Sequence, residues 1–327
     1  MNTMTHDLYA HINREFLALG TVNGIYIYGR GWTEALDAAQ RRVVELENRL
    51  SVFRPGSEIW RINKNAGMRP VTVSPETFRL LAAAKEYGRL SGGAFSITAR
   101  PLSALWNVGQ PGAAIPEPNM IEAAQALVND GDLVLEEDTC TAFLARPGQS
   151  VDLGGIAKGY AADEVRRVLI QYDVECAVID LGGNIVTIGT RPDGSPWRIG
   201  IQNPADIRGN FICTVSVHDE TVVTSGINER FFVKNGVICH HIIDPRSGRP
   251  AQSGLMSVTV VGQSSIKADA LSTAVFVLGI HKGAELLKNQ NAQAVFASDD
   301  YKIYTTGGMA HRFSLNREPQ SKDGGAK

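Results

Sequence analysis

The chain has 327 residues, 43% of them hydrophobic, which suffices for a large core in one domain or two closely joined ones. A formal net charge of −2 and a pI near 6.4 give no reason to expect nucleic acid or an anionic membrane as a partner. Cys140, Cys176, Cys213 and Cys239 are scattered without a CxxC pair, which argues against a zinc site or a disulfide framework and reads as four buried, reduced thiols.

The opening stretch carries His6, Asp7, His11, Arg14 and Glu15 where a signal peptide needs an apolar core. No Cys is placed for a lipid anchor and no run of 18 apolar residues occurs, so a cytoplasmic protein without a membrane anchor is expected. TVNGIYIY (21–28) alternates as a strand does, and TEALDAAQRRVVELENRL (33–50) puts Leu36, Ala39, Val43, Leu46 and Leu50 at helical spacing. In SPETFRLLAAAKEYGRLSGG (74–93), Ser74 is the predicted N-cap, Pro75 opens the helix, and Gly92 and Gly93 follow its end. Residues 101–118, rich in Gly and Pro, are predicted irregular; MIEAAQALV then reads as a short helix and DLVLEEDTCTAFLARPG as a hairpin.

VDLGGIAKGYAADEV (151–165) reads as a buried strand, a glycine pair and a helix. CAVIDLGGNIVTIGT is a predicted buried strand ending at Gly182, Gly183 and Asn184, with further strands in WRIGIQNP and FICTVSVHDETVVTSG. Asn235-Gly236 marks a hairpin within ERFFVKNGVICHHIIDP. The strand SVTVVG, the helices KADALSTAVFVLG and GAELLKN, and the strand pair AQAVFAS and YKIYTTGG complete the ordered chain before a polar tail. Strands and helices interleave without strict βαβ alternation, which predicts an α+β protein of layered helices on mostly antiparallel sheets.

Four stretches carry candidate chemistry. In the first, Asp152 sits where the strand ends, Gly154 and Gly155 admit close approach of backbone to a ligand, and Lys158 lies in the first turn of a helix whose N-terminus attracts anions. The stretch has neither the P-loop nor the GxGxxG spacing, and a tight turn without a ligand explains it equally well. In the second, Asp269 and Thr273 lie four apart on one helix face and offer two hard oxygens to Mg²⁺, which takes its other ligands from water or phosphate. An Asp near a helix start and a Thr bonded back to its own helix would give the same pattern.

In the third, His240 and His241 are neighbours in a strand, so they face opposite sides and only one faces a pocket; Asp244 is near enough to orient an imidazole. Thr224, Ser225 and Gly226 offer hydroxyls and backbone nearby in the same half. In the fourth, Phe53 and Phe95 are candidates to cover a planar heterocycle, with Trp106 lining the same cleft, though aromatics at such positions equally serve a core.

Taken in order, LGT (19–21), LSVFRPGSEIWRIN, GGAFSIT, VDLGGIAKGYAAD, VIDLGGN, TSG…HHIIDPRSGRP and SVTVVG…ADALSTAVFVLG resemble the ApbE family, the FAD:protein FMN transferases. The resemblance covers residues 17–308 and sets apart 1–16 as an N-terminal extension and 309–327 as a strand end and polar tail. It implies that FAD lies in a cleft between lobes with its diphosphate at DLGGIAKG beside Mg²⁺, held by the Gly155 carbonyl, Asp269 and Thr273. It also implies that Leu19, Phe53, Ala94, Phe95, Ser96, Asp152, Lys158 and Ile243 line the FAD.

The implied reaction moves FMN from FAD to a Ser or Thr hydroxyl of an acceptor flavoprotein, forming a phosphoester and releasing AMP. Lys158 adds positive charge and His241 is the expected base, chosen over His240 on the family pattern, with Asp244 orienting it. FAD hydrolysis to FMN and AMP, and a flavin-binding protein with decayed activity, are the alternatives; Asp269, Thr273, Lys158 and His241 are all retained, which speaks against the second. One departure stands out: relatives usually read FDPT where this chain reads FSIT, so a carboxylate is missing at Ser96. Its loss is expected to weaken FAD binding, and Ser96→Asp to tighten it.

Overall fold

The computed structural model describes residues 10–206 and 209–316. Its first strand was not legible in the sequence. β1 (His11–Ala18) pairs residue for residue with β2 (Thr21–Tyr28), and Arg14 on its half-buried face and Leu17 on its exposed face break the alternation. The strand runs unbroken through residues 16 and 17, so no structural division falls there. His6, Asp7 and the polar tail beyond 316 lie outside the described residues.

α1 (Thr33–Leu50) buries Leu36, Ala39, Val43, Leu46 and Leu50 as the spacing predicts. α2 (Glu58–Lys64) and the short β3 (Val71–Thr72) follow. α3 (Pro75–Leu90) opens with the Thr77 N–H donating to Ser74 Oγ at 3.2 Å. The stretch predicted irregular contains α4 (Arg100–Trp106), because Leu102 and Trp106, one turn apart, find a common buried site that local composition does not reveal. α5 (Pro118–Gln125), β4 (Leu133–Glu136) and β5 (Thr141–Leu144) agree with the expected helix and hairpin.

Val151 and Leu153 are buried, but the stretch belongs to no sheet; its backbone is held instead by Asn63 Oδ1, which accepts from the Val151 N–H at 2.7 Å. α6 (Ala157–Gln171) then begins. The strand expected to end at Gly182, Gly183 and Asn184 is the first arm of a tight hairpin, β6 (Ala177–Leu181) and β7 (Asn184–Ile188). Gly182 and Gly183 turn it with φ of 62° and 86°, the two positive angles that a two-residue turn of this hand requires. β8 (Trp197–Gln202), β9 (Phe211–Val217), β10 (Thr221–Gly226), the hairpin β11 (Phe231–Lys234) and β12 (Val237–His240), and the short pair β13 (Ile243–Asp244) and β14 (Arg249–Pro250) follow. β15 (Leu255–Gly262) leads into α7 (Ser265–Asn289), which Gly279 breaks into the two predicted helices. β16 (Gln293–Ser298), β17 (Ile303–Thr305) and β18 (Phe313–Leu315) close the described chain.

Eight strands form one antiparallel sheet in the order β1-β2-β6-β7-β10-β15-β16-β17. Alternation along its strands supplies both faces: Ile25, Ile27, Ile179 and Leu181 pack under α1 and α6, while Val178, Ile185, Val222 and Val261 meet the three-stranded sheet β18-β9-β8 on the other side. The protein is thus α+β, with helices layered on antiparallel sheets. All four cysteines are free; Cys213 and Cys239 are buried, whereas Cys140 and Cys176 are only half-buried.

A charge network ties the helices together. Arg42 on α1 bonds both Glu76 on α3 and Glu164 on α6, and Tyr160 donates to Glu76 at 2.5 Å. Burial opposes ionisation of Glu164, but bonds from Arg167 and Arg42 outweigh it and hold its carboxyl below the usual range. Arg42→Met should cost about 2 kcal/mol, less than breaking a fully buried pair because Arg49 and Arg167 remain. The Glu164 share is full above its unfolded pKa of about 4.3 and is lost as pH falls through the lower folded value, so the gap between variant and wild type narrows below about pH 4. Urea unfolding checks this; a change within about 0.5 kcal/mol at pH 7, the range of ordinary surface substitutions, would contradict it.

Candidate active site

The site grows from the crossing of α6 and α7. Nothing in the chain before α6 caps it: Ile156 occupies the N-cap and supplies no side-chain acceptor. The acceptor comes from the neighbouring helix, where Asp269 Oδ2 takes the Gly159 N–H at 2.8 Å. The reverse bond also exists. Asp163 on α6 accepts the first N–H groups of α7, Ser265 at 3.0 Å and Ile266 at 3.0 Å. Each helix therefore caps the other, and both carboxylates sit at a positive helix end. The helices come this close because residue 159 has no side chain: a Cβ there would meet Ser265 O at 2.3 Å and Asp269 Cβ at 2.7 Å.

Asp269, only 4% exposed, keeps its second oxygen toward the cleft, with Lys158 Nζ 3.9 Å from Oδ1. One turn on, the Thr273 hydroxyl is not bonded back to its own helix; Ser272 takes the Asp269 carbonyl instead at 2.9 Å, and Thr273 Oγ1 lies 3.5 Å from Ser225 Oγ on β10. Gly155 lies against the same hydroxyl, since a Cβ there would be 3.5 Å from Thr273 Oγ1 and 3.2 Å from the Phe95 ring. A carboxylate oxygen, a hydroxyl and a turn carbonyl are hard donors, few in number, and leave room for phosphate and water, which suits Mg²⁺. Among the described residues no group of three or more His, Cys, Asp or Glu forms an alternative metal site.

His240, the last residue of β12, is 5% exposed; its Nε2 meets the Ala251 carbonyl at 3.0 Å and its ring sits edge-on to Phe276. His241 lies just past the strand on the other side, within the field of Lys158, and its Nδ1 is 3.2 Å from the Arg230 carbonyl. Burial, the Arg230 charge and the Lys158 charge push this imidazole down to about 3 against that hydrogen bond. The expected role of Asp244 is corrected: both its oxygens hold the Arg246 guanidinium, at 2.9 Å each, so the Arg230 carbonyl orients His241 instead.

Around this centre, Asp152 bridges the glycine turn and α4, taking the Gly154 N–H at 2.8 Å and Arg100 at 3.0 Å. Arg100 in turn lies 5.0 Å from the ring centre of Phe53, which is 78% exposed. Glu47 links that loop to the β1–β2 turn: it accepts the Leu19 N–H at 3.1 Å and pairs with Arg54 at 3.1 Å. Phe95 is buried beside Gly155, whereas Ala94 is packed into the core under β10 and β15. Ile243 and Trp106 depart from expectation as ligand-facing side chains. Both are buried in one apolar cluster with Leu102 and Ile121, and Trp106 Nε1 donates to the Gly248 carbonyl at 2.8 Å.

The carboxylate absent from FSIT is present in space. Asp130, which sequence reading passed over because it lies 34 residues away in a polar turn, accepts from Ser96 Oγ at 2.6 Å. Gly159, Asp163 and Arg100 were also missed: their roles exist only across helix contacts and carry no local signal.

The ApbE family model matches residues 19–296. A FAD:protein FMN transferase of Klebsiella pneumoniae is 39% identical over 283 residues, covering 85% of this chain and 88% of its own. One of Treponema pallidum is 34% identical over 318 residues, covering 92% and 88%. Among solved structures, the ApbE protein of Thermotoga maritima superposes with a TM-score of 0.84 at 30% identity over 91% of this chain and 98% of its own. The flavin transferase ApbE from Vibrio cholerae gives 0.82 at 28% identity, covering 93% and 99%. With the matched segment containing the α6–α7 crossing, the glycine turn and both histidines, the chain belongs to the ApbE family.

Proposed function

We propose that this chain is a FAD:protein FMN transferase, the activity named for its relatives in Klebsiella and Treponema. The observation that carries the reading is the convergence at one helix end of Asp269, Thr273, Gly155 and Lys158, with His241 within reach of the same charge field. The acceptor hydroxyl oxygen forms a bond to the FMN phosphorus, the bond to the AMP oxygen breaks, and the hydroxyl proton passes to His241 Nε2, since Nδ1 is directed at the Arg230 carbonyl. Asp269, Thr273 and the Gly155 carbonyl would hold Mg²⁺, which when bound neutralises diphosphate charge. Lys158 adds a fixed positive charge beside Asp269, and the Asp152–Arg100 pair holds the glycine turn in shape.

Incubation with FAD, Mg²⁺ and an acceptor flavoprotein, read by in-gel flavin fluorescence and AMP release, tests this. A fluorescent acceptor band with AMP supports transfer; AMP and free FMN without a band would make the protein a hydrolase, and bound FAD without AMP a binding module.

Asp269→Asn keeps an oxygen for the Gly159 N–H and so should fold, yet lower activity by at least about a hundredfold at saturating Mg²⁺. Activity within a few-fold of wild type would remove the cation assignment.

His241→Ala should slow transfer by about 10² to 10⁴, whereas His240→Ala acts on packing against Phe276 and lowers stability more than turnover. With its pKa pushed down to about 3, His241 is neutral in the free enzyme throughout the neutral range. The acid limb that it causes in kcat/KM therefore lies near pH 3, and the limb in kcat lies higher, because bound diphosphate favours the imidazolium. A kcat/KM limb near pH 6.5 that disappears in His241→Ala would contradict this.

A further inference from the structure

We propose that Asp130 is a FAD-binding carboxylate, supplied to the cleft from the α5–β4 connection in place of the one that position 96 lacks; the proposal rests on the transferase reading. Asp130 begins a single 3₁₀ turn, Asp130–Asp132, whose start is fixed by Asn129 Oδ1 accepting the Gly131 N–H at 2.9 Å. All of its side-chain hydrogen bonds converge on one oxygen. Oδ1 accepts from Ser96 Oγ at 2.6 Å, Thr98 Oγ1 at 2.7 Å and Thr98 N–H at 3.2 Å. Among the described residues, no donor reaches Oδ2.

The free oxygen is held at a precise place. It lies over Gly88 of α3, where a Cβ would come within 2.5 Å of Oδ2, and this close seat depends on the missing side chain. Ser96, Gly88, Gly93 and Asp130 share a cavity of about 820 Å³, within the range of small-molecule sites. Ser96, on the cavity wall, directly follows Phe95, whose ring would lie 3.2 Å from a Cβ at Gly155, so one residue separates the cavity lining from the glycine turn contact. The cations on the cavity wall are engaged elsewhere: Lys85 with the Leu133 carbonyl, Arg89 with Glu86 and Arg246 with Asp244. What Oδ2 lacks is an N–H or O–H donor. FAD carries such donors on the adenine amine, the flavin imide and the ribityl hydroxyls, and a charge-assisted bond to one of them is what an ionised carboxylate makes best.

The inference reverses the expectation for Ser96→Asp. A second carboxylate at 96 would stand about 3 Å from Asp130 Oδ1, and two carboxylates so close cannot both ionise. The substitution should therefore weaken FAD binding while Asp130 is present. Moving the charge back, in the double variant Ser96→Asp with Asp130→Ser, should restore it.

Titration of FAD against wild type, Asp130→Asn, Ser96→Asp and the double variant tests this, with thermal unfolding of each protein free of ligand as a check on folding. Asp130→Asn should raise the FAD dissociation constant by about tenfold or more, the scale of a lost charge-assisted bond. Ser96→Asp should raise it likewise, and the double variant should return to within about threefold of wild type. Repeating the titrations with ADP and with FMN assigns the contact to the adenine half or the flavin half, either result supporting the proposal. Unchanged FAD affinity in Asp130→Asn, loss of unfolding temperature without loss of affinity, or tighter FAD binding in Ser96→Asp would overturn it while leaving the transferase reading intact. A wild type that binds none of the three ligands would overturn both.

Discussion

Two carboxylates exchanged between two helices, Asp269 buried and Asp163 half-buried, hold this site together. Asp269 of α7 caps α6, Asp163 of α6 caps α7, and Gly159 lets the two backbones approach. A cap is worth about 1 kcal/mol in an exposed helix, and leaving buried N–H groups unpaired costs more. The arrangement fixes more than stability. By spending one oxygen on the Gly159 N–H, Asp269 is held in a single orientation that turns its other oxygen toward Lys158. The Arg42 network on the far side of α6 then anchors that helix against α1 and α3, so the cap geometry is held from both sides.

Support is distributed unevenly across the site. Asp269 and Thr273 sit on the central helix, packed against β10 and β15, whereas His241 follows β12, one strand of a separate two-stranded sheet. Such a hairpin has little independent stability. Its outward residues Phe231, Val233, Val237 and Ile238 are exposed, and the Arg230 carbonyl that holds His241 lies at its start. The groups proposed to handle phosphate thus sit on the well-packed element, and the proposed base rides on the less supported one. That division is compatible with a fixed diphosphate and an acceptor that arrives from solution.

Much of this was readable in the sequence. The apolar spacing of α1, the Ser74 cap and the Asn235-Gly236 turn are local signals, and each element formed where its signal stood. Asp269 and Thr273 were legible as a pair because helical periodicity alone puts them on one face. Failures share a cause. β1 shows no clear alternation because Arg14 sits on its half-buried face and Leu17 on its exposed one, α4 depends on a distant apolar cluster, and Gly182-Gly183 reads as a strand end until its partner strand is seen. Asp244 looked close enough to serve His241, but its nearest cation, two residues on, takes both oxygens. Ser96 shows the limit most plainly: a residue compared position by position looks like a lost charge, whereas in space Asp130 stands against it.

The central claim is that the close crossing at Gly159 builds the cation site that holds FAD. The most direct measurement is the FAD dissociation constant of Gly159→Ala, with and without Mg²⁺, in protein whose cooperative unfolding shows that it is folded. The added Cβ would meet Ser265 O at 2.3 Å and Asp269 Cβ at 2.7 Å, so the helices must separate and Asp269 must leave its place. Mg²⁺ should then tighten FAD binding in the wild type and have no effect in the variant. An equal Mg²⁺ response in the two proteins would contradict the account.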